Sequence, residues 1–242
     1  MGGLNEGQFA EQILDACPNA TLHGAEIQPG FFERVKTVLA KFPNARAHNQ
    51  GWSDKPGDLY IVGAGQTAHL SDTVPESTGA QKVHVDTLLR FAAGLMVNKQ
   101  VSYTQIDTEG HEPLIIKGMA LEQEAHQILF PVFQFEVGSG WDQFSKARWN
   151  QHATAVHLEQ AGYELYLIGE HHYWRVYAAF FERGVGAINV NGYCNLDYNT
   201  TKQMFVWGNT LAIHSKFAPE GLLDVVRKSA VQHANSVRSK GI

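Results

Sequence analysis

Asp107, Glu109, His111 and Glu112 crowd six positions of the stretch "VSYTQIDTEGHEPLIIKGM", residues 101–119. A carboxylate or an imidazole within hydrogen-bond reach of a hydroxyl can take its proton, and an imidazole with an ordinary value near 6.5 suits neutral pH. Asp107, at the tip of a run with strand character, is a candidate base, or a holder of a divalent cation that lowers a hydroxyl's pKa. His111 is a second candidate base, and Glu136 a third acid at the end of another strand. A metal-dependent hydrolase built on Asp107, Glu109, His111 and Glu136 stays open, and it requires ligand atoms to converge within about 2.0 to 2.6 Å of one ion. The structural alternative is plain. Glu109 and Glu112 stand where negative charge meets the positive end of a helix dipole, and His111 is then a first-turn residue facing solvent.

A second constellation opens the chain. "GGLNEG" precedes a helix, and Glu26 follows about twenty residues later at the end of the next strand, the distance at which an acid accepts hydrogen bonds from ribose hydroxyls. The glycines fall at positions 2, 3 and 7, so the phosphate turn G-x-G-x-x-G is absent, and a nucleoside without a pyrophosphate fits better than a dinucleotide. A glycine turn with a surface glutamate is the alternative.

The elements that must position these groups follow from periodicity. "GQFAEQILDACP" places Phe9, Ile13, Leu14 and Cys17 at helical spacing before Pro18, and "GFFERVKTVLAKFP" repeats the pattern through Phe32, Val35, Val38, Leu39 and Phe42. "ATLHGAEI" reads as a strand ending at Glu26, "NARAHNQGWSD" and "GDLYIVG" as strands, and "HVDTLLRFAAGL" as a helix with Asp86 as its N-cap. A strand over 101–106 leads to a helix starting near Glu112 and Pro113. "ILFPVFQFEVG" is an apolar strand ending in Glu136, "ARWNQHATAVHLEQAGY" a helix, and "ELYLIGE", "YWRVYAAF" and "NTLAIH" strands. This alternation predicts an α/β fold with a mostly parallel sheet and helices on both faces, in which ligands sit beyond the carboxyl ends of the strands. Glu26, Asp107 and Glu136 all fall on that rim.

Composition narrows the partners. With 242 residues, 44% hydrophobic and 18% charged, the chain is expected to form one domain over 1–242. The net charge of −5 gives no basic field for a phosphate backbone, so nucleic acid is not an expected partner. Cys17 and Cys194 lack the spacing of a zinc site or a disulfide scaffold, and with no signal peptide or membrane span in view a cytoplasmic protein is expected. The loop 63–80 is expected to border a site. "EHHYWR", 170–175, reads as a surface turn. Trp141, Tyr173 and Trp174 are candidates for stacking on a sugar or for the core.

Five segments in order resemble the FkbM family of S-adenosylmethionine-dependent methyltransferases: "GGLNEGQFAEQIL", "TLHGAEIQPGFFERV", "ARAHNQGWSDKPGDLYI", "VHVDTLLRF" and "YTQIDTEGHEPLIIKGM". The resemblance covers roughly residues 3 to 170. It implies a class I methyltransferase (Rossmann-like) fold, S-adenosylmethionine as cofactor, and O-methylation of a hydroxyl on a sugar, glycan or small secondary metabolite. By position, Gly3, Asn5 and Gly7 match the cofactor turn, Glu26 the ribose-binding acid, Ser53 and Asp54 the segment beside the adenine, and Asp107, Glu109, Gly110 and Glu112 the signature. His111 and Met119 depart from the family, which has small residues there. The family's first, central strand would precede Met1, so that element is expected to be missing or truncated. A non-catalytic, methyltransferase-like binding protein is the alternative this departure raises.

Overall fold

The residues from Met1 to Gly3 form the seam of a small parallel sheet. In a computed structural model of the chain, Gly2 bridges Ala25 on one side and Ile106 on the other, both in parallel. Gly2 N donates to Gln105 O at 2.8 Å and Asp107 N to Gly2 O at 3.1 Å, while Ala25 N donates to Met1 O at 2.8 Å and Gly3 N to Ala25 O at 3.1 Å. The place the sequence reading leaves without a strand is thus taken, at its carboxyl end, by these few residues. The structure describes residues 1–63, 65, 68–73, 80–95, 101–138, 150–168, 173–178 and 207–239. Trp141, residues 170–172 of "EHHYWR" and much of the 63–80 and 137–150 segments lie outside them.

Read as one domain in sequence, the chain gathers into two compact units, 1–97 with 104–119, and 98–103 with 120–242. In the first, α1 (Gln8–Ala16) leads into β1 (Leu22–Ala25), and α2 (Pro29–Leu39) into β2 (Ala45–His48). β1 and β2 pair in parallel, Leu22 opposite Ala45 through Ala25 opposite His48. β7 (Thr104–Ile106) lies across the Met1–Gly3 segment from β1. The sheet therefore turns from one side of the initial segment to the other, which in doubly wound α/β folds marks the ligand crevice.

The helices form for local reasons and dock through a narrower face than their apolar residues suggest. Gly7 caps α1 in the left-handed region, with φ 86°, and Pro29 takes the first position of α2, where its missing N–H costs nothing. Ala10 and Leu14 of α1 and Val35 and Leu39 of α2, each pair four residues apart, bury against Leu4, Leu22 and Ala45. Phe9, counted in the apolar stripe of α1, is 41% exposed.

A second sheet of the first unit runs in the order β3 (Gly51–Trp52), β6 (Gln81–Asp86), β4 (Gly57–Val62), β5 (His69–Ser71). β3 pairs with β6 in parallel and the remaining pairs are antiparallel. β6 corrects the reading of "HVDTLLRFAAGL" as a helix capped by Asp86: "QKVHVD" alternates, burying Val85 at 1% exposure, which is strand period, and Asp86 ends this strand. The helix α3 (Leu88–Leu95) starts later, and its cap is Thr87, whose Oγ1 accepts from Arg90 N at 3.1 Å. Asp86 accepts instead from Thr87 N at 2.8 Å. After β7 comes α4 (Glu112–Lys117), with Pro113 in its first turn as expected.

The second unit holds the helices α5 (Glu124–Leu129), α6 (Gln151–Gln160) and α7 (Leu222–Ser239). Its strands β8 (Val132–Gly138), β9 (Tyr163–Ile168), β10 (Tyr173–Val176) and β11 (Trp207–His214) lie in the order β10-β9-β11-β8, every neighbouring pair antiparallel. β11 enters between β8 and β9, so those two still run parallel to each other. Across the chain the fold is α/β with mixed sheets, and the parallel core belongs to the first unit. Glu136 lies inside β8 rather than at its end, opposite Asn209. No helix among the described residues is long and apolar enough to cross a membrane.

Candidate ligand cavity

Within the first unit, the carboxyl ends of β1, the Met1–Gly3 segment, β3 and β7 open into a cavity of about 130 Å³. Gly2, Gly3 and Asn5 line it from the turn, Glu26, Gln28 and Phe31 from β1's end and α2, and Gly51 and Trp52 from β3. Asp107, Thr108, Glu109 and His111 line it from the segment after β7, and Ile61, Ala68, His69 and Leu70 from β4 and β5.

The turn is built so that backbone can approach backbone. Gly3 has φ 74°, and a Cβ there would lie 1.7 Å from Asp107 O. Only glycine accommodates both the conformation and the contact. A Cβ on Gly2 would lie 2.7 Å from the Trp52 ring. Asn5, also left-handed at φ 49°, donates its N–H to Glu26 Oε2 at 2.8 Å, and Gln28 N donates to Glu26 Oε1 at 2.9 Å. Glu26 is 5% exposed. Burial pushes its pKa up, and the N–H groups of Gln28 and Asn5 oppose that. Its side chain thus ties the turn to the start of α2 while lining the cavity. Gln28 extends the tie, its Nε2 donating to Gly65 O at 3.0 Å.

The segment 107–112 is held by side chains. Glu112 is wholly buried, and its Oε1 accepts from Thr108 N at 2.6 Å and Thr108 Oγ1 at 2.9 Å. Burial lifts it to about 7, a rise the Thr108 hydrogen bonds oppose and the Asp107 charge reinforces. It closes the turn ahead of α4, which is the structural role anticipated for it. His111 is buried at 8% exposure, not solvent-facing, and its Nε2 lies 3.0 Å from Ser53 Oγ. Burial lowers its pKa to about 4, against a small opposing effect of Asp54. His111 is therefore neutral at pH 7 and a weak base. Asp107 is raised by burial, and Glu109 by burial and then by the Asp107 charge.

The residues expected from sequence thus divide. Gly3, Asn5, Glu26, Asp107 and His111 come together around the cavity. Gly7 does not line it. A Cβ on Gly7 would meet Val35 Cγ2 at 2.8 Å, so this glycine serves the packing of α1 on α2. Ser53 and Asp54 do not line it either: Ser53 faces His111, and Asp54 Oδ2 accepts from Lys117 Nζ at 2.6 Å, pinning α4 to the end of β3. Glu136 belongs to β8 of the second unit. The sequence reading missed Trp52, one position before the Ser-Asp pair it chose, and Ile61 of β4, whereas the segment 63–80, expected to border a site, supplies Ala68, His69 and Leu70 to the wall. The alternation of β6 was the available signal for that second sheet.

The described lining residues include the carboxylates of Glu26, Asp107 and Glu109 and neither lysine nor arginine. Trp52 Nε1 and Asn5 Oδ1 are both buried without a hydrogen-bond partner. Such a cavity favours a ligand carrying positive charge over one carrying phosphate.

No known protein-family profile matches the chain, and no curated protein matches it. Solved structures similar to it include one of Thermoplasma acidophilum provisionally named a methyltransferase, at 12% identity and TM-score 0.40 over 90% of this chain and 67% of that one. Methyltransferase FkbM from Methylobacillus flagellatus KT is similar at 11% identity and TM-score 0.47, over 88% of this chain but 42% of its own length. Precorrin-6y C5,15-methyltransferase from Geobacter metallireducens GS-15 is similar at 14% identity and TM-score 0.39, over 87% of this chain and 77% of that one. At these identities and scores, any functional reading rests on the cavity of this chain itself.

Proposed function

We propose that the cavity of the first unit binds S-adenosylmethionine and that the protein is an O-methyltransferase of FkbM type, acting on a hydroxyl of a sugar, glycan or small metabolite. The observation that carries this reading is the three-carboxylate lining around a glycine turn, without lysine or arginine among the described residues, with Glu26 directly after β1. S-adenosylmethionine supplies an activated methyl carried on a cationic sulfur, together with an ammonium group and ribose hydroxyls. Glu26 suits the hydroxyls, since each of its oxygens accepts one backbone N–H and keeps a further lone pair. Trp52 and Ile61 offer apolar surface for a purine.

For the acceptor, Asp107 is the base: lining the cavity, its carboxylate would take the hydroxyl proton as the oxygen accepts the methyl that S-adenosylmethionine would supply. Burial, which raises the pKa of Asp107, makes it a stronger base than a solvated aspartate. His111, neutral and tied to Ser53, positions the segment that carries Asp107.

One observation favours the second reading, a non-catalytic binding protein: Glu26 is already engaged by two backbone N–H groups and could serve the fold alone. Calorimetric titration with S-adenosylmethionine separates the two. Saturable heat in the parent, lost in Glu26→Ala with the fold intact by circular dichroism, is the expected result. Binding without methyl transfer to any hydroxylated acceptor leaves the second reading, and folded protein that takes up no cofactor removes the first.

A further inference from the structure

We propose that His23 and His48 form a seat for a d-block divalent cation, with zinc as its simplest occupant, bridging β1 and β2. The two strands run in parallel with His23 opposite Arg46 and Ala25 opposite His48, so the two imidazoles are diagonal neighbours on one face of the sheet. His23 Nδ1 and His48 Nε2 lie 3.1 Å apart, with the rings stacked at 29°. Two imidazole nitrogens bound to one tetrahedral zinc at about 2.05 Å stand about 3.3 Å apart, so the pair needs only a small opening to chelate an ion.

Both nitrogens must then present lone pairs. The ring that now carries its hydrogen on the shared side moves it to its other nitrogen, His23 to Nε2 or His48 to Nδ1, with no net proton released. Arg46 stands opposite His23 across the strand pair. Arg46 is turned onto backbone, its Nη1 donating to Pro43 O at 3.0 Å and Ala45 O at 2.7 Å. The Phe91 ring meets His48 edge-on at 4.9 Å and limits the side from which the ion enters. Water completes the coordination.

The seat adjoins the cavity through the backbone. His48 O accepts from Glu26 N and Gln50 N, each at 3.0 Å, and Glu26 and Gln50 both line the cavity. A bound ion braces the strand ends that carry them. The seat itself does not depend on what the cavity holds.

The test is calorimetric titration of the full chain with zinc chloride in chelator-free buffer near neutral pH, with no cofactor present. The expected result is a binding isotherm in the parent that weakens about tenfold or more in His23→Gln and in His48→Gln. It should be unchanged in His84→Gln, an exposed histidine paired with Asp58. No zinc binding by the parent, or an isotherm that survives both substitutions, overturns the proposal. Should either variant unfold, the histidine side-chain nitrogen spectrum of the parent decides: the signals of the two imidazoles hydrogen-bonded to each other move first as zinc is added, and movement of other histidines alone overturns it.

Discussion

Two turns face each other around the cavity of the first unit, and they are held by opposite means. The turn from Gly2 to Gly7 is made of backbone: left-handed Gly3, Asn5 and Gly7 bring the chain against Asp107 O and Val35, and Glu26 accepts the Asn5 N–H from outside. The segment from Asp107 to Glu112 is made of side chains: Glu112 reaches back to Thr108, and His111 reaches across to Ser53. Glu26 and Glu112 are both buried acids with raised pKa values, yet only Glu26 lines the cavity. Burial and a shifted pKa are thus shared by a candidate ligand contact and a structural clasp, and access to the cavity is what separates them.

The sharpest way to break the comparison is Gly3→Ala. The added Cβ meets a backbone carbonyl that no rotamer change can move, so a loss of about 4 kcal/mol or more is expected in denaturant unfolding. A loss below about 1 kcal/mol would show that the backbone-built turn tolerates side chains after all.

The side-chain-built turn predicts two opposed pH dependences. Glu112, raised to about 7, keeps its proton in the folded state where the unfolded chain has lost it. Its contribution is fully present below about 4.5 and is lost as pH rises through 7, an effect of up to about 3 kcal/mol. His111, lowered to about 4, works the other way: its contribution is present above about 6.5 and is lost as pH falls toward 4, again by about 3 kcal/mol. Because the two windows overlap, the effects nearly cancel in the parent, so Glu112→Gln should expose the rise of stability from about pH 4 to 6.5 that His111 supplies, and His111→Asn the fall from about pH 4.5 to 7 that Glu112 supplies. Thermal midpoints measured from about pH 4 to 8 on all three proteins check both; identical slopes in parent and variants would contradict the assignment.

The smallest expected effect belongs to Gly7→Ala, about 1 to 2 kcal/mol from the left-handed backbone and the contact with Val35, whose side chain can give way. Because Gly7 packs α1 against α2 and does not line the cavity, cofactor affinity measured by calorimetry should be nearly unchanged. A tenfold loss of affinity with the fold intact would return Gly7 to the binding turn.

Much of this was legible in the residues. The strand expected over 101–106, formed over Thr104–Ile106, with the acid that follows it, the glycine turn followed by Glu26, and the proline in the first turn of α4 each follow from local chemistry, because a strand end, a left-handed position and a first helical turn select residues without help from distant chain. The alternation in "QKVHVD" was equally local but was overridden by the longer helical pattern that follows it. Other features had no local signal. Whether Ser53 and Asp54 meet a ligand or clamp the helix α4 depends on His111 and Lys117, which lie more than fifty positions away. The central role of Met1–Gly3 depends on two strands, β1 and β7, each closing on it from a different part of the chain. Sequence by itself determined which groups are acidic, which are small and where β1 and β7 end. Only the tertiary structure decided which acids share a cavity and which are spent on holding it, since burial and partner choice are set by contacts between segments far apart in the chain.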